Sequence, residues 1–83
     1  MSVMHMKPLI ETIVQALVDH PESVLVTSIE DERAITYKLS VHKEDIGKVI
    51  GKQGRTIHAI RTVVYAAAAR QPKRVIVQVD EKG

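Results

Sequence analysis

The sequence predicts an α+β fold: a three-stranded mixed sheet with helices packed on one face. Three observations carry that reading. Apolar residues at spacings of three and four from Leu9 to Val18 change to strict alternation from Ala34 to His42. Pro8, Pro21 and Pro72 punctuate the chain where periodic segments start or stop. The last apolar alternation, Val75, Val77 and Val79, follows two helical segments, which suits a parallel crossover back to the sheet. The whole of 1–83 is expected to be one domain, since 83 residues support a single small core.

Residues 1–6 are expected to be a loose lead-in. From Pro8 the pattern is helical, with Leu9, Ile10, Ile13, Val14, Leu17 and Val18 on one stripe and Glu11, Gln15 and Asp19 opposite. Pro21 stops that helix beyond His20. Ser23 to Ile29 is rich in β-branched residues and reads as a strand, followed by the polar turn Glu30-Asp31-Glu32. Ala34 to His42 is the clearest strand: Ile35, Tyr37, Leu39 and Val41 face one side, and Thr36, Lys38, Ser40 and His42 the other. It should pair with the preceding strand as an antiparallel hairpin. Lys43 to Ile50 is a short helix with Glu44 and Asp45 in its first turn, where the dipole favours acids. Gly51-Lys52-Gln53-Gly54 interrupts it. Arg55 to Arg70 is an Ala-rich helix, and Arg74 to Asp80 a closing strand. The order is α-β-β-α-α-β.

Composition excludes several classes of function. There is no Cys, so no disulfide scaffold, thiolate zinc site, iron–sulfur cluster or thiol nucleophile. The longest unbroken apolar run is Val63 to Ala69, far short of the roughly 20 residues that span a bilayer, and no membrane partner is expected. His5, His20, His42 and His58 are separated by 15, 22 and 16 residues, which is neither helical nor hairpin ligand spacing. No metal site and no cofactor are therefore expected. No catalytic residues and no enzyme activity are expected either, because no Ser/His/Asp constellation or carboxylate pair can be argued. A cytoplasmic location is expected.

The net charge of +2 conceals an uneven distribution. Residues 1–42 hold three cations against six acids, 43–74 hold eight against two, and 75–83 hold one against two. No acid occurs between Ile46 and Arg70. A basic segment between acidic flanks either forms a positive patch that attracts polyanions or is an ordinary solvated helix face.

The run Ile46-Gly47-Lys48-Val49-Ile50-Gly51-Lys52-Gln53-Gly54-Arg55-Thr56-Ile57 carries the chemistry. Two glycines permit a tight turn, and the free amides of the following helix point into it with the positive end of the dipole. Lys52, Arg55 and Lys48 add charge around this anion seat, and Ile46, Val49, Ile50 and Ile57 are expected to floor an apolar groove beside it. Such a pairing suits a single nucleic-acid strand, its backbone held at the turn and its bases on the aliphatic wall. Other phosphate motifs fail: a Walker spacing from Gly47 would need Gly where Lys52 stands, and no G-x-G-x-x-G occurs. His58, one turn beyond the loop, is open between a phosphate contact and a plain surface role. Tyr37 should pack, while Tyr65 is open between stacking and packing.

Val49 to Ile57 resembles the core signature of KH domains, and the α-β-β-α-α-β order resembles their bacterial type II arrangement. The likeness runs from about Pro8 to Glu81. The Asp19-His20-Pro21 break and the run from Asp45 to Ile57 are similar to small stand-alone bacterial members of the family. The resemblance implies a G-x-x-G loop clamping about four nucleotides of single-stranded RNA or DNA. It also implies an RNA-chaperone role, a homodimer or a pairing with a second KH protein, and a link in some bacteria to cell-wall homeostasis and cell shape. Two other readings compete on the residues. One is a helix-turn-helix duplex-DNA binder, since two helices flank a Gly-containing turn, although the second helix has little to read base edges. The other is a dimerisation module with incidental RNA binding.

The long helix carries two apolar stripes. Ile57, Ile60, Val64, Ala67 and Ala68 should face the sheet. Ala59, Val63 and Ala66 form a second stripe turned well away, expected to be a dimer contact centred on Val63.

Overall fold

The computed structural model describes residues 6–80. Its elements are α1 (Met6–Gln15), β1 (Leu25–Glu30), β2 (Ala34–Ser40), α2 (Ile46–Ile50), α3 (Arg55–Ala67) and β3 (Arg74–Val79). Single 3-10 turns lie at Pro21–Ser23, Lys43–Asp45 and Lys52–Gly54. The strand order is β1-β2-β3, with β1 antiparallel to β2 and β2 parallel to β3. This is the expected α+β, type II-like order. Within it α1 packs on β1 and α3, and α3 also packs on α2 and β3.

The core follows the predicted periodicities. Ile10 and Val14 from α1, Val26 from β1, Leu39 from β2, Val49 from α2, Val64 from α3 and Val77 from β3 are fully buried. Tyr37 and Val41 join them, and Ile35 is half-buried. Tyr37 therefore packs, as its place in the alternation requires. Burial takes its phenol out of water, which raises its pKa above the ordinary value.

Several boundaries differ from the expected ones, each for a local reason. Met6 belongs to α1 and is buried, so the lead-in is shorter than six residues, and residues 1–5 lie outside the described part. At its other end α1 stops at Gln15 rather than running to His20. The Leu17 amide turns back to the Val14 carbonyl at 2.9 Å, and the amides of Asp19 and His20 leave the helix axis to donate to the Asp45 carboxylate. Leu17 is consequently exposed rather than part of the buried stripe.

β1 begins at Leu25 because Ser23 and Val24 donate to His20 and Pro21 carbonyls in a 3-10 turn. β2 ends at Ser40, since His42 turns out of the sheet to accept the Glu44 amide. α3 ends at Ala67, and Ala67 is exposed, off the edge of the buried stripe, while Ala68 completes it.

Side chains close the ends of the sheet. Asp31 Oδ1 accepts the Arg33 and Ala34 amides at 2.7 Å each, which folds the β1–β2 turn and lowers the Asp31 pKa. Lys73 ties that turn to the start of β3 by donating to Glu30 and to the Asp31 carbonyl. The amides of Arg74 and Asp80 donate to carbonyls of Arg33 and Leu39, so the Val77 carbonyl faces away from β2. Arg61 Nε donates to that carbonyl at 3.1 Å and so covers part of the free edge of β3. Among the described residues no helix is long and apolar enough to cross a membrane.

Candidate nucleic-acid interface

The basic run forms a sharp turn between α2 and α3. Gly51 has φ +78°, Gln53 φ +58° and Gly54 φ +76°, so three of its four residues sit at positive φ. Gly51 is required twice over. A side chain there is strained by its φ, and a Cβ would lie 2.2 Å from Thr56 Oγ1 and 2.8 Å from the Thr56 amide nitrogen. Gln53 takes the left-handed conformation without being glycine, a locally costly arrangement of the kind found at ligand-gripping turns.

Three amides near the turn are already used. Gly51 donates to the Gly47 carbonyl at 2.8 Å, Gly54 donates to Gly51 at 3.1 Å, and Arg55 donates to Lys52. The Gly54 amide is therefore internal to the turn. Lys52 and Gln53 open the 3-10 turn, and its geometry gives their amides no carbonyl within it. Both residues are exposed, as are Arg55 and His58.

Of the four aliphatic residues expected to floor a groove, two are elsewhere. Val49 is 0% and Ile57 5% exposed, and both belong to the buried core. Ile46 and Ile50 are half-buried and keep apolar surface beside the turn. Gly47 is exposed on the same short helix, and nothing lies within 4 Å of the Cβ it lacks.

Lys48 is not a free cation. Its Nζ lies 2.9 Å from Asp19 Oδ2. The shared hydrogen bond and the opposite charges lower the Asp19 pKa and raise that of Lys48. Any polyanion at the turn competes with Asp19 for this ammonium.

Sequence reasoning missed the support behind the site. Asp45 is 1% exposed, and its two oxygens accept the amides of Asp19 and His20 at 3.2 and 2.9 Å. This carboxylate pins the α1–β1 connection to the start of α2. It is more than the exposed helix-dipole acid that its position suggested. Asp45 stands beside a second acid, Glu44, which is exposed, and nothing in the sequence alone separates the two.

Two histidines whose spacing is neither helical nor hairpin-like are brought together by the fold. The rings of His20 and His42 stack with centroids 4.1 Å apart, beside Glu44. His5 lies outside the described residues, and His58 is on α3. On the outer side of α3, Val63 is 50% exposed, flanked by exposed Ala59 and Ala66, and Tyr65 is exposed too.

Comparison with known proteins bears directly on this arrangement. The family model described as the KH domain of KhpA/KhpB matches residues 7–79. The RNA-binding protein KhpA of Listeria monocytogenes is 53% identical over 76 residues, covering 92% of this chain and all of the relative. The RNA-binding protein KhpA of Halalkalibacterium halodurans is 57% identical over 70 residues, covering 84% and 92%. That of Bacillus subtilis is 52% identical over 75 residues, covering 90% and 93%. No solved structure matches the chain. A strained G-x-x-G turn between two helices, on a sheet of this order, with likeness along almost the whole length, has one explanation: the chain belongs to the KhpA/KhpB family of KH-domain proteins.

Proposed function

We propose that the chain binds single-stranded RNA and has no enzymatic activity. The observation that carries this is the turn Gly51-Lys52-Gln53-Gly54, in which Lys52 and Gln53 are exposed and their amides have no carbonyl within the turn, with Lys48 and Arg55 on its flanks. The relatives' name, RNA-binding protein, supports the same reading. One backbone phosphate sits at the amides of Lys52 and Gln53. The three cations neutralise it and its neighbours, with Lys48 released from Asp19 on binding. Bases lie on Ile46 and Ile50, and the missing side chain of Gly47 lets one approach α2 closely. Val49 and Ile57 hold this surface from below. His58 stands one turn beyond as an outer contact.

Titration by fluorescence anisotropy tests the reading. A single-stranded RNA oligomer should bind more tightly than a duplex of the same sequence. If about three phosphates are met, log K should fall against log salt with a slope near about −2. A preference for duplex, or binding insensitive to salt, contradicts the proposal. Beyond Arg55 at its start, the exposed surface of α3 offers Ala, Val, Thr, Tyr and His, and Arg61 is turned to the Val77 carbonyl, so the helix lacks a row of base-reading amides and cations, which disfavours a helix-turn-helix reader.

The finer roles rest on family likeness: an RNA chaperone or post-transcriptional regulator in the cytoplasm, connected to cell-wall homeostasis and cell shape. Val63 with Ala59 and Ala66 supports a self-association face, used in a homodimer or with a KhpB-like second KH protein.

A further inference from the structure

The α1–β1 connection and the turn before α2 bring together three side chains with metal-ligand chemistry, outside the G-x-x-G turn. His20 Nε2 lies 3.2 Å from Glu44 Oε1, and His42 Nδ1 lies 3.9 Å from the same oxygen. One donor atom from each residue falls within 4.8 Å of the other two. A tetrahedral ion about 2.1 Å from each ligand holds its donors about 3.4 Å apart. The two separations to Glu44 bracket that value, and closing the set requires the imidazoles, stacked at 22°, to turn out of parallel.

The backbone holding these ligands is fixed in advance. The buried Asp45 carboxylate accepts the His20 amide at 2.9 Å, which anchors one imidazole to the segment that carries the other two ligands. His42 Nδ1 accepts the Glu44 amide at 3.1 Å, which keeps this nitrogen beside residue 44 but occupies its one lone pair, so an ion there must displace that bond. Glu22 Oε2 lies 3.7 Å from His20 Nδ1, on the ring edge opposite Glu44. At that distance it makes no hydrogen bond to the ring and adds only negative charge beside His20. Both imidazoles are half-buried and Glu44 is exposed, which leaves a route for an ion and room for water as a fourth ligand.

We propose that His20, His42 and Glu44 bind a divalent transition-metal ion of the zinc class through His20 Nε2, His42 Nδ1 and a Glu44 carboxylate oxygen. Two imidazoles and a carboxylate suit zinc and its neighbours, and select against the hard, oxygen-seeking Mg2+. The ion replaces two ordinary hydrogen bonds, His20 to Glu44 and the Glu44 amide to His42. By bridging residues 20 and 42–44 it fastens the α1–β1 connection to the lead-in of α2, beside Lys48 and its partner Asp19. The proposal stands independently of RNA binding.

The test titrates the full chain with Zn2+ alone, followed by calorimetry and by the imidazole signals in NMR. One ion per chain should bind saturably, with the His20 and His42 ring signals moving together and His5 and His58 unaffected. Asn in place of either His20 or His42, with folding confirmed by circular dichroism, should weaken binding by well over about 10-fold, a loss that removal of an orienting partner alone can reach. Mg2+ should not reproduce the shifts. Absence of saturable binding, an equal response to Mg2+, shifts centred on His5 or His58, or undiminished affinity in both variants would each overturn the proposal. The wild-type NMR titration decides the matter even if a variant fails to fold.

Discussion

Gly47 and Gly51 stand four residues apart and answer to different constraints. Gly51 is held at φ +78° against Thr56, so Gly51→Ala must both strain the backbone and push Thr56 aside. It should destabilise the fold by more than about 1 kcal/mol, read as a lower urea midpoint. Gly47 has helical geometry and open space, so Gly47→Ala should keep or raise stability by roughly 0.5–1 kcal/mol. If a base approaches α2 there, the same variant should nonetheless bind single-stranded RNA several-fold more weakly. The pair separates fold from function by comparing denaturation with anisotropy.

The Asp19–Lys48 pair makes a pH prediction. The Asp19 carboxyl is lowered by its hydrogen bond and charge interaction with Lys48. A lowered folded-state value means that the pair's contribution is present above the ordinary carboxylate range and is lost as pH falls through the folded value. The pair is solvent-exposed, so its effect on stability is small. An NMR titration of the Asp19 carboxyl carbon should place its midpoint below 3.8 in wild type and return it toward that value in Lys48→Met.

At the scale of elements, Asp45 decides where α1 ends and where α2 begins. Asp45→Ala removes the acceptor for two part-buried amides. It should cost roughly 1–3 kcal/mol per orphaned amide and loosen the 19–24 connection, detectable as faster hydrogen exchange there. This contact also shows what the sequence could and could not reveal. The α2–α3 turn was legible because Gly51, Gln53 and Gly54 act locally through backbone conformation. The strands were legible because Tyr37, Leu39 and Val41 obey a period of two. The end of α1 was not, because the competitor to further helix is a carboxylate 25 residues away. The burial of Val49 and Ile57 was hidden for a related reason. Periodicity identifies an apolar face but does not say whether that face meets ligand or core, and here both belong to the core. The stacking of His20 on His42 is invisible to spacing, because their separation of 22 residues is closed only by tertiary structure.

The whole molecule combines a basic turn with an unpartnered apolar stripe on the same helix. α3 begins at the turn and carries Ala59, Val63 and Ala66 on an exposed face, so self-association would place two turns on one assembly. Two modest sites joined in this way bind a long RNA more tightly than either alone. Sedimentation should show a mass above the monomer for wild type and a monomer for Val63→Asp; an unchanged mass would move the contact elsewhere or remove it.

The central claim is that the Gly51–Gly54 turn grips the RNA backbone. It is tested most directly by replacing Lys52 and Gln53 with Asp, which leaves both glycines in place and puts two carboxylates where the phosphate is proposed to sit. With circular dichroism unchanged, affinity for single-stranded RNA should fall by at least about 10-fold, since two like charges at an anion seat repel phosphate and one cation is lost. Undiminished binding by the folded variant would contradict the account.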